Sequence, residues 1–261
     1  MAILNPVAHP ILVHGHRGAR ALFPENTLPA FEYAIAAGAD ALELDVAVTR
    51  DDIVVVAHDP TLDRRPIREL TCGELQQWRC GTKRHPLFPR QAHMPGVRIP
   101  TLDQVLDLAG RGHFLFNIEI KSFPRRPRLT PPPEHFAELV WHAIRRHRLQ
   151  HRVMVQSFDF RTLHAMRRLA PDLPLGALYS RAPRSFPSIA HRAGADIVAP
   201  HHLLVSARRV RAAHAAGLRV ITWTANHPRQ WKRLIAARVD AIITDHPAAL
   251  ITYLREHGLR Q

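Results

Sequence analysis

The chain has 261 residues, 46% of them hydrophobic and 22% charged, and holds no apolar run long enough for a membrane-spanning helix, so an ordinary globular core is expected. Lys and Arg total 36 against 22 Asp and Glu, a formal charge of +14, which suits anionic small-molecule substrates, polyanions or a weak association with anionic membranes. The excess is spread over short stretches such as PRRPR, IRRHRLQHR and ARRVR without interleaved aromatics, which argues against nucleic acid as the main partner.

In chain order, the opening MAILNPVAHP lacks early basic residues and a cleavage pattern, and Pro6 and Pro10 interrupt its apolar character. A start near Met1 and a cytoplasmic location are expected. Residues 12–16 read as a strand, PENT as a turn, and LPAFEYAIAA as a helix that Gly38 ends by accepting a left-handed backbone. Glu25 and Asn26 are expected to fix this first loop and cap the helix. The second strand covers 41–46, extends to 49 and returns antiparallel over 53–58. TRDD is too short for a crossover helix and permits only a hairpin. A turn centred near Asp51 sets residue 58 opposite residue 45.

Residues 60–100, rich in Pro and Arg with one helical piece, TCGELQQW, read as an insertion. Cys72 and Cys80 are too few for a disulfide framework and lack the histidine spacing of a zinc site; they are read as reduced. A helix over 101–110, capped by Thr101, restores the pattern. Strand 114–121 follows, then the loop FPRRPRLTPPPE. Strands at 153–158, 174–179, 196–200, 219–223 and 241–244 then alternate with amphipathic helices. Nine strands, one of them the hairpin's return, predict an α/β fold: a TIM (β/α)8 barrel with a short antiparallel strand and a small insertion at the C-terminal mouth, in one domain over 1–261.

Chemistry enters through the stretch GADALELDVAVTRDDIVVVAHD. Strand side chains alternate, so Glu43 and Asp45 share one face, opposite Leu42, Leu44 and Val46. Two buried acids on one face repel and are costly to desolvate unless a cation lies between them. His16 and Arg17 end the first strand, and Glu119 and Lys121 share a face of NIEIKS. Functional side chains of such barrels collect at the C-terminal strand ends, so three carboxylates, two cations and the imidazoles of His16 and His58 converge on one rim. Oxygen donors without cysteine select a hard divalent ion, Mg²⁺ or Ca²⁺. Such an ion, with Arg17 and Lys121, would hold a phosphoryl group between a general base and a general acid. Phosphodiester cleavage is the expected reaction.

These residues resemble a known family. The series HRG, PENT, ELD, HD and EIK, followed by QSF, ITWTAN and ITDHP, is similar over nearly the whole chain to the glycerophosphodiester phosphodiesterases. The resemblance implies a TIM barrel that hydrolyses glycerophosphodiesters to sn-glycerol 3-phosphate and an alcohol with a divalent metal. It implies His16 and His58 as the acid–base pair, Glu43, Asp45 and Glu119 as metal ligands, and Arg17 and Lys121 as phosphate contacts. Attack by the glycerol 2-hydroxyl and direct attack by water both remain open. Departures from the pattern are Ala21 for Gly, WTAN for WTVN, a shortened turn at RPIREL, and His14 at a normally apolar position.

Blander roles stand beside these. Trp223 either contacts substrate or fills the barrel; Gln156 either lines the site or makes a structural hydrogen bond; His14 is expected to pack in a second layer. The competing activities are a lysophospholipase D or another phosphodiesterase on the same scaffold, and a polyanion-binding protein on a decayed barrel.

Overall fold

The computed structural model describes residues 10–82, 85–181 and 184–261. Eight parallel strands close into a barrel: β1 (Leu12–Gly15), β2 (Ala41–Val48), β6 (Leu115–Ile120), β7 (Val153–Ser157), β8 (Leu175–Tyr179), β9 (Ile197–Pro200), β10 (Arg219–Thr222) and β11 (Ala241–Thr244). β1 pairs with both β2 and β11, which completes the ring and confirms the TIM barrel. β3 (Val54–Val56) runs antiparallel to β2, and β4 (Thr61–Leu62) pairs with β5 (Arg65–Pro66) in the insertion.

The helices among the described residues are α1 (Leu28–Ala36), α2 (Cys72–Leu75), α3 (Leu102–Leu106), α4 (Pro133–Arg146), α5 (Phe160–Leu169), α6 (Phe186–Ala193), α7 (Ala207–Ala215), α8 (Pro228–Ala236) and α9 (Pro247–Glu256). None is long and apolar enough to cross a membrane. Thr101 caps α3 in a reciprocal box with Gln104, as its sequence predicts, but the α-helix stops at Leu106 and tightens into a 3₁₀ turn over 107–111.

The joints at the bottom of the barrel have a common chemistry. Asp40, Asp196 and Asp240 each stand just before a strand. Each carboxylate accepts the backbone N–H of a neighbouring strand, from Val13 at 2.8 Å, Leu175 at 3.0 Å and Val220 at 2.6 Å respectively. The Gly-Ala-Asp triplets at 38–40 and 194–196, and Asp240 after Val239, thus tie an incoming strand to its neighbour.

Two details differ from the sequence reading. The hairpin pairs Val46 with Val56 and Val48 with Val54, and the Ala57 N–H donates to the Asp45 carbonyl at 2.9 Å. Residue 57, not 58, therefore lies opposite residue 45. The turn closes one residue tighter because Thr49 bonds back to Ile53 and Asp52 adopts a left-handed φ of +58°. The β4–β5 hairpin was not expected. Its turn uses Asp63 and Arg64, both at positive φ, in place of the Asn-Gly that usually advertises such a turn.

The main core lies between the strands and the helices around them and includes Phe31, Phe116, Phe136 and Phe186. A separate small core forms where Ala47, Val55 and Ala57 meet Ile67, Leu70, Leu75 and Ile99, with Cys72 and Cys80 half-buried beside it. Both cysteines are free, and burial pushes the Cys80 thiol up to about 11. Inside the barrel, Met154, Ile197, Ile221, Ala241 and Ile243 make an apolar arc. The remaining arc, on β1, β2, β6 and β7, is polar: His14, Glu43, Asp45, Asn117, Glu119 and Gln156 are all buried.

Gly18 lets the first loop fold tightly onto α1. It has φ +86°, and a Cβ there would lie 2.6–2.8 Å from the Ala30 carbonyl and methyl groups. Combining the left-handed penalty with overpacking, Gly18→Ala is expected to cost about 3 kcal/mol. Urea unfolding measures it, and a loss below the scatter of the midpoint contradicts the account.

His14 makes folding sensitive to acid. Burial drives its pKa from 6.5 down to about 4, with Asp40 opposing and Arg219 assisting. The unfolded chain therefore binds a proton that the folded one refuses. This contribution to stability is complete above pH 6.5 and is lost as pH falls towards 4, on the order of 3 kcal/mol in all. His14→Gln should flatten that part of a urea-stability profile recorded without divalent ions; an unchanged slope would contradict it.

Candidate active site

Three adjacent strands assemble the acidic centre. β1 ends at Gly15 and delivers His16 and Arg17; β2 carries Glu43 and Asp45; β6 carries Glu119, with Lys121 just past its end. The parallel register sets Asp45 beside Glu119 and Glu43 beside Asn117. One carboxylate oxygen of each of Glu43, Asp45 and Glu119 lies within 4.8 Å of the other two, and all three residues are buried.

The cations close around this cluster. Arg17 sits at φ +50°, a left-handed bend that turns its backbone N–H toward Glu43 Oε2 at 3.0 Å. Its guanidinium lies 3.0 Å from Asp45 Oδ2 and 2.8 Å from Glu25 Oε1. Lys121 Nζ stands 3.2 Å from Asp45 Oδ1 and 3.0 Å from Glu119 Oε1.

His16 Nδ1 meets Asp245 Oδ1 at 2.6 Å, and its Nε2 is 4.0 Å from Glu43 Oε2. His58 Nδ1 meets Asp59 Oδ1 at 2.8 Å, and the ring is half-buried. Each imidazole thus has one nitrogen on a carboxylate and one left over. A cavity of about 280 Å³ opens among His16, His58, Glu43, Glu119, Lys121 and Trp223. A larger one of about 510 Å³, between His58 and Trp78 of the insertion, contains none of the three clustered acids and reads as approach space.

The electrostatics show what the cluster lacks. Burial, then the carboxylates of Asp45 and Glu119, hold Glu43 well above the ordinary range. Burial also pushes Glu119 up to about 7 even though Lys121 pulls it down. Burial opposes ionisation of Asp45 too, but the Lys121 ammonium and Arg17 guanidinium outweigh it and keep that carboxyl well below its usual range. Two side-chain cations thus keep one acid ionised and leave two short of positive charge. Asp45 Oδ1 lies 3.2 Å from the Lys121 ammonium but makes no aligned hydrogen bond. Three buried oxygen donors, two of them short of positive charge, fit a hard divalent cation, and Glu43, Asp45 and Glu119 are the residues that could hold it. At His58, burial is the leading influence and lowers the imidazole pKa, leaving a neutral ring near pH 7.

Every residue singled out from the sequence is located here. Gln156 reaches in from β7, its Nε2 donating to Glu43 Oε1 at 3.3 Å. Trp223 stands at the mouth with its Nε1–H donating to the Ala199 carbonyl, edge-on to Phe158 with ring centroids 5.5 Å apart. His14 lies inside the barrel below the acids. The PENT turn needs a correction. Thr27, not Asn26, is the N-cap residue of α1, and no side chain caps it. Asn26, at φ +57°, instead clamps Asp45, donating from Nδ2 to Oδ2 at 2.9 Å. Glu25 bridges Arg17 and Arg20.

With this geometry in place, comparison with known proteins is direct. Residues 16–249 match the model of the glycerophosphoryl diester phosphodiesterase family. The chain belongs to the glycerophosphoryl diester phosphodiesterase family. As a member of this enzyme family it is 35% identical over 252 residues to a glycerophosphodiester phosphodiesterase of Caldanaerobacter subterraneus, covering 95% of this chain and 99% of that one. The crystal structure of a Silicibacter pomeroyi protein assigned to the same phosphodiesterases superposes with a TM-score of 0.90 at 34% identity, covering 98% and 96% of the two chains. An Oleispira antarctica phosphodiesterase, solved with its product sn-glycerol-3-phosphate, shares the fold at TM-score 0.83 and 23% identity, covering 94% of this chain and 97% of that one.

Of the residues that sequence reasoning missed, Asp245 and Asn226 act through His16, and Arg20 lines the cavity itself. Asp245 follows β11 and grips His16, and is itself held by Asn226, whose Nδ2 donates to Oδ2 at 2.5 Å. Burial disfavours its charge, but His16, Arg20 and Asn226 keep its pKa low. ITDHP, at a C-terminal strand end, carried the signal for Asp245. Arg20, whose Nε lies 2.5 Å from Glu25 and whose guanidinium lies over Phe88, carried none.

Proposed function

We propose that this phosphodiesterase hydrolyses glycerophosphodiesters to sn-glycerol 3-phosphate and an alcohol, with Mg²⁺ or Ca²⁺ held by Glu43, Asp45 and Glu119 and with His16 and His58 as the acid–base pair. The observation that carries this reading is the buried three-carboxylate cluster, two of its acids short of positive charge, opening on a cavity that both imidazoles line. The product bound to the Oleispira relative is of the same chemical class.

A bound divalent ion would supply a Lewis acid for a phosphoryl oxygen. Everything else falls to the chain. Lys121, lining the cavity, neutralises a second phosphoryl oxygen. Arg17 is tied to Asp45 and Glu25, so its first service is to hold Asp45 in place and its second is to add positive potential. Asp245 accepts from His16 Nδ1–H, which leaves Nε2 as the basic nitrogen facing the cavity. Asp59 orients His58 in the same manner. One imidazole takes the proton of the attacking oxygen, and the other returns a proton to the departing alcohol.

The reading takes 1–261 as one catalytic domain working in the cytoplasm, where its two free thiols stay reduced. Purified protein with Mg²⁺ or Ca²⁺ should release glycerol 3-phosphate from glycerophosphocholine or a related diester; no release from any diester with either ion would overturn it. A second reading, lysophospholipase D, draws on Phe158, 46% exposed just after β7, and Leu203, 72% exposed in the 3₁₀ turn that follows β9. Faster turnover of micellar lysophospholipid than of soluble diesters would select it.

A further inference from the structure

Beside the acids the barrel holds buried polar groups to which the reaction above gives no role. His14, Asn117 and Gln156 are at most 1% exposed. Asn117 Nδ2 donates to His14 Nδ1 at 3.3 Å, and Gln156 Nε2 donates to Glu43 Oε1 at 3.3 Å. Since Nδ1 of His14 accepts, the neutral ring carries its proton on Nε2. Burial keeps that ring neutral near pH 7.

Three atoms of these side chains have no protein partner: His14 Nε2, Asn117 Oδ1 and Gln156 Oε1. They are one N–H donor and two carbonyl acceptors. A single water molecule is their complement, accepting one hydrogen bond and donating two, and buried waters typically make about three. The backbone sets Asn117 and Gln156 on adjacent strands, two residues apart in register, with Asn117 already in contact with His14. Asn117 is the register partner of Glu43, and Gln156 is the partner of both Glu119 and Gly176. A Cβ on Gly176 would lie 3.1 Å from Gln156 Cβ and 3.3 Å from Met154 Cε, so the missing side chain gives Gln156 its room.

We propose that His14, Asn117 and Gln156 form a positioning unit beside the acid cluster, closed by one bound water, that fixes Glu43 for the cation. The inference rests on the metal-binding reading above and extends it to residues outside the three carboxylates, of which Gln156 also lines the cavity. Gln156 alone contacts Glu43, so it needs an anchor. The water links its carbonyl to Asn117 and, through His14, to β1. Partners of this kind fix a ligating carboxylate and are typically worth ten- to hundredfold in metal affinity.

Two measurements on the wild-type protein test the water directly. A high-resolution crystal structure should show one peak within hydrogen-bond distance of all three atoms, and nitrogen-15 NMR should show the His14 ring as the Nε2–H tautomer. No shared peak, or an Nδ1–H tautomer, overturns the proposal. Calorimetric titration with Mg²⁺ and Ca²⁺ tests the positioning role. His14→Leu and Gln156→Leu should each weaken binding by about tenfold, the double variant little more, and His14→Gln should recover most of the loss. Variants that lower the melting temperature yet bind the ion as the wild type does would reduce the unit to scaffolding and overturn its role. If the wild type binds neither ion, the metal reading fails and the positioning role with it, while the peak and tautomer still decide whether the water site exists.

Discussion

Replacing His16 by Ala is expected to lower kcat for glycerophosphodiester hydrolysis by about a thousandfold, the central value for a lost general acid or base. Divalent-ion affinity and melting temperature should stay close to wild type, because the ring approaches Glu43 no closer than 4.0 Å. Asp245→Asn adds a diagnostic arm. An amide at that position can offer His16 Nδ1 an N–H, which would move the ring proton to Nε2 and leave no basic nitrogen facing the cavity. A loss of about a hundredfold or more in kcat with little change in KM is expected. Steady-state kinetics on one soluble diester suffices, and turnover within tenfold of wild type in His16→Ala would end the acid–base assignment.

Removing divalent ions has the second large effect. Chelation should lower turnover by at least about a hundredfold, and added Mg²⁺ or Ca²⁺ should restore it. Ion binding should also raise stability, by about 2.7 kcal/mol at a hundred times the dissociation constant. The sign of the pH dependence follows from the cluster. Without an ion, Glu43 sits well above the normal range and Glu119 near 7, so both tend to hold protons that a cation must displace. Binding at pH 7 should therefore release protons, and affinity should fall as pH drops below 7. Repeating the calorimetry in buffers of different ionisation enthalpy counts those protons. Activity that survives exhaustive chelation, or binding that releases none, would refute the cluster's role.

Much of this was legible because local chemistry and fold agree. The alternation around Glu43 and Asp45, and the shortness of TRDD, led to a barrel strand with a hairpin riding on it, and the carboxylates lie together as that face requires. What escaped was decided at longer range. The hairpin register depended on Thr49 bonding Ile53, which composition does not signal. Asn26 looked like a helix cap because its residue type favours that role, yet Asp45, nineteen residues on, captured its amide. Asp245 and His16 lie 229 residues apart, and only closure of the barrel between β11 and β1 makes them neighbours. The polar arc beside the acids was half visible: His14 stood out at an apolar position and Gln156 as a candidate for the site, but Asn117 looked ordinary on its strand, and only the barrel register joined them.

The β2–β3 hairpin belongs to two cores at once. Val46, Val48, Val54 and Val56 lock it to the main core, while Ala47, Val55 and Ala57 head the small core of the insertion. His58 leaves this ribbon directly after Ala57, so its imidazole inherits any shift in that satellite through one peptide unit. A substitution at Ile67 or Leu75 can reach the chemistry without disturbing a single barrel strand. The satellite core is therefore a lever set apart from the scaffold, through which the entrance shifts while the acids stay where β2 and β6 put them.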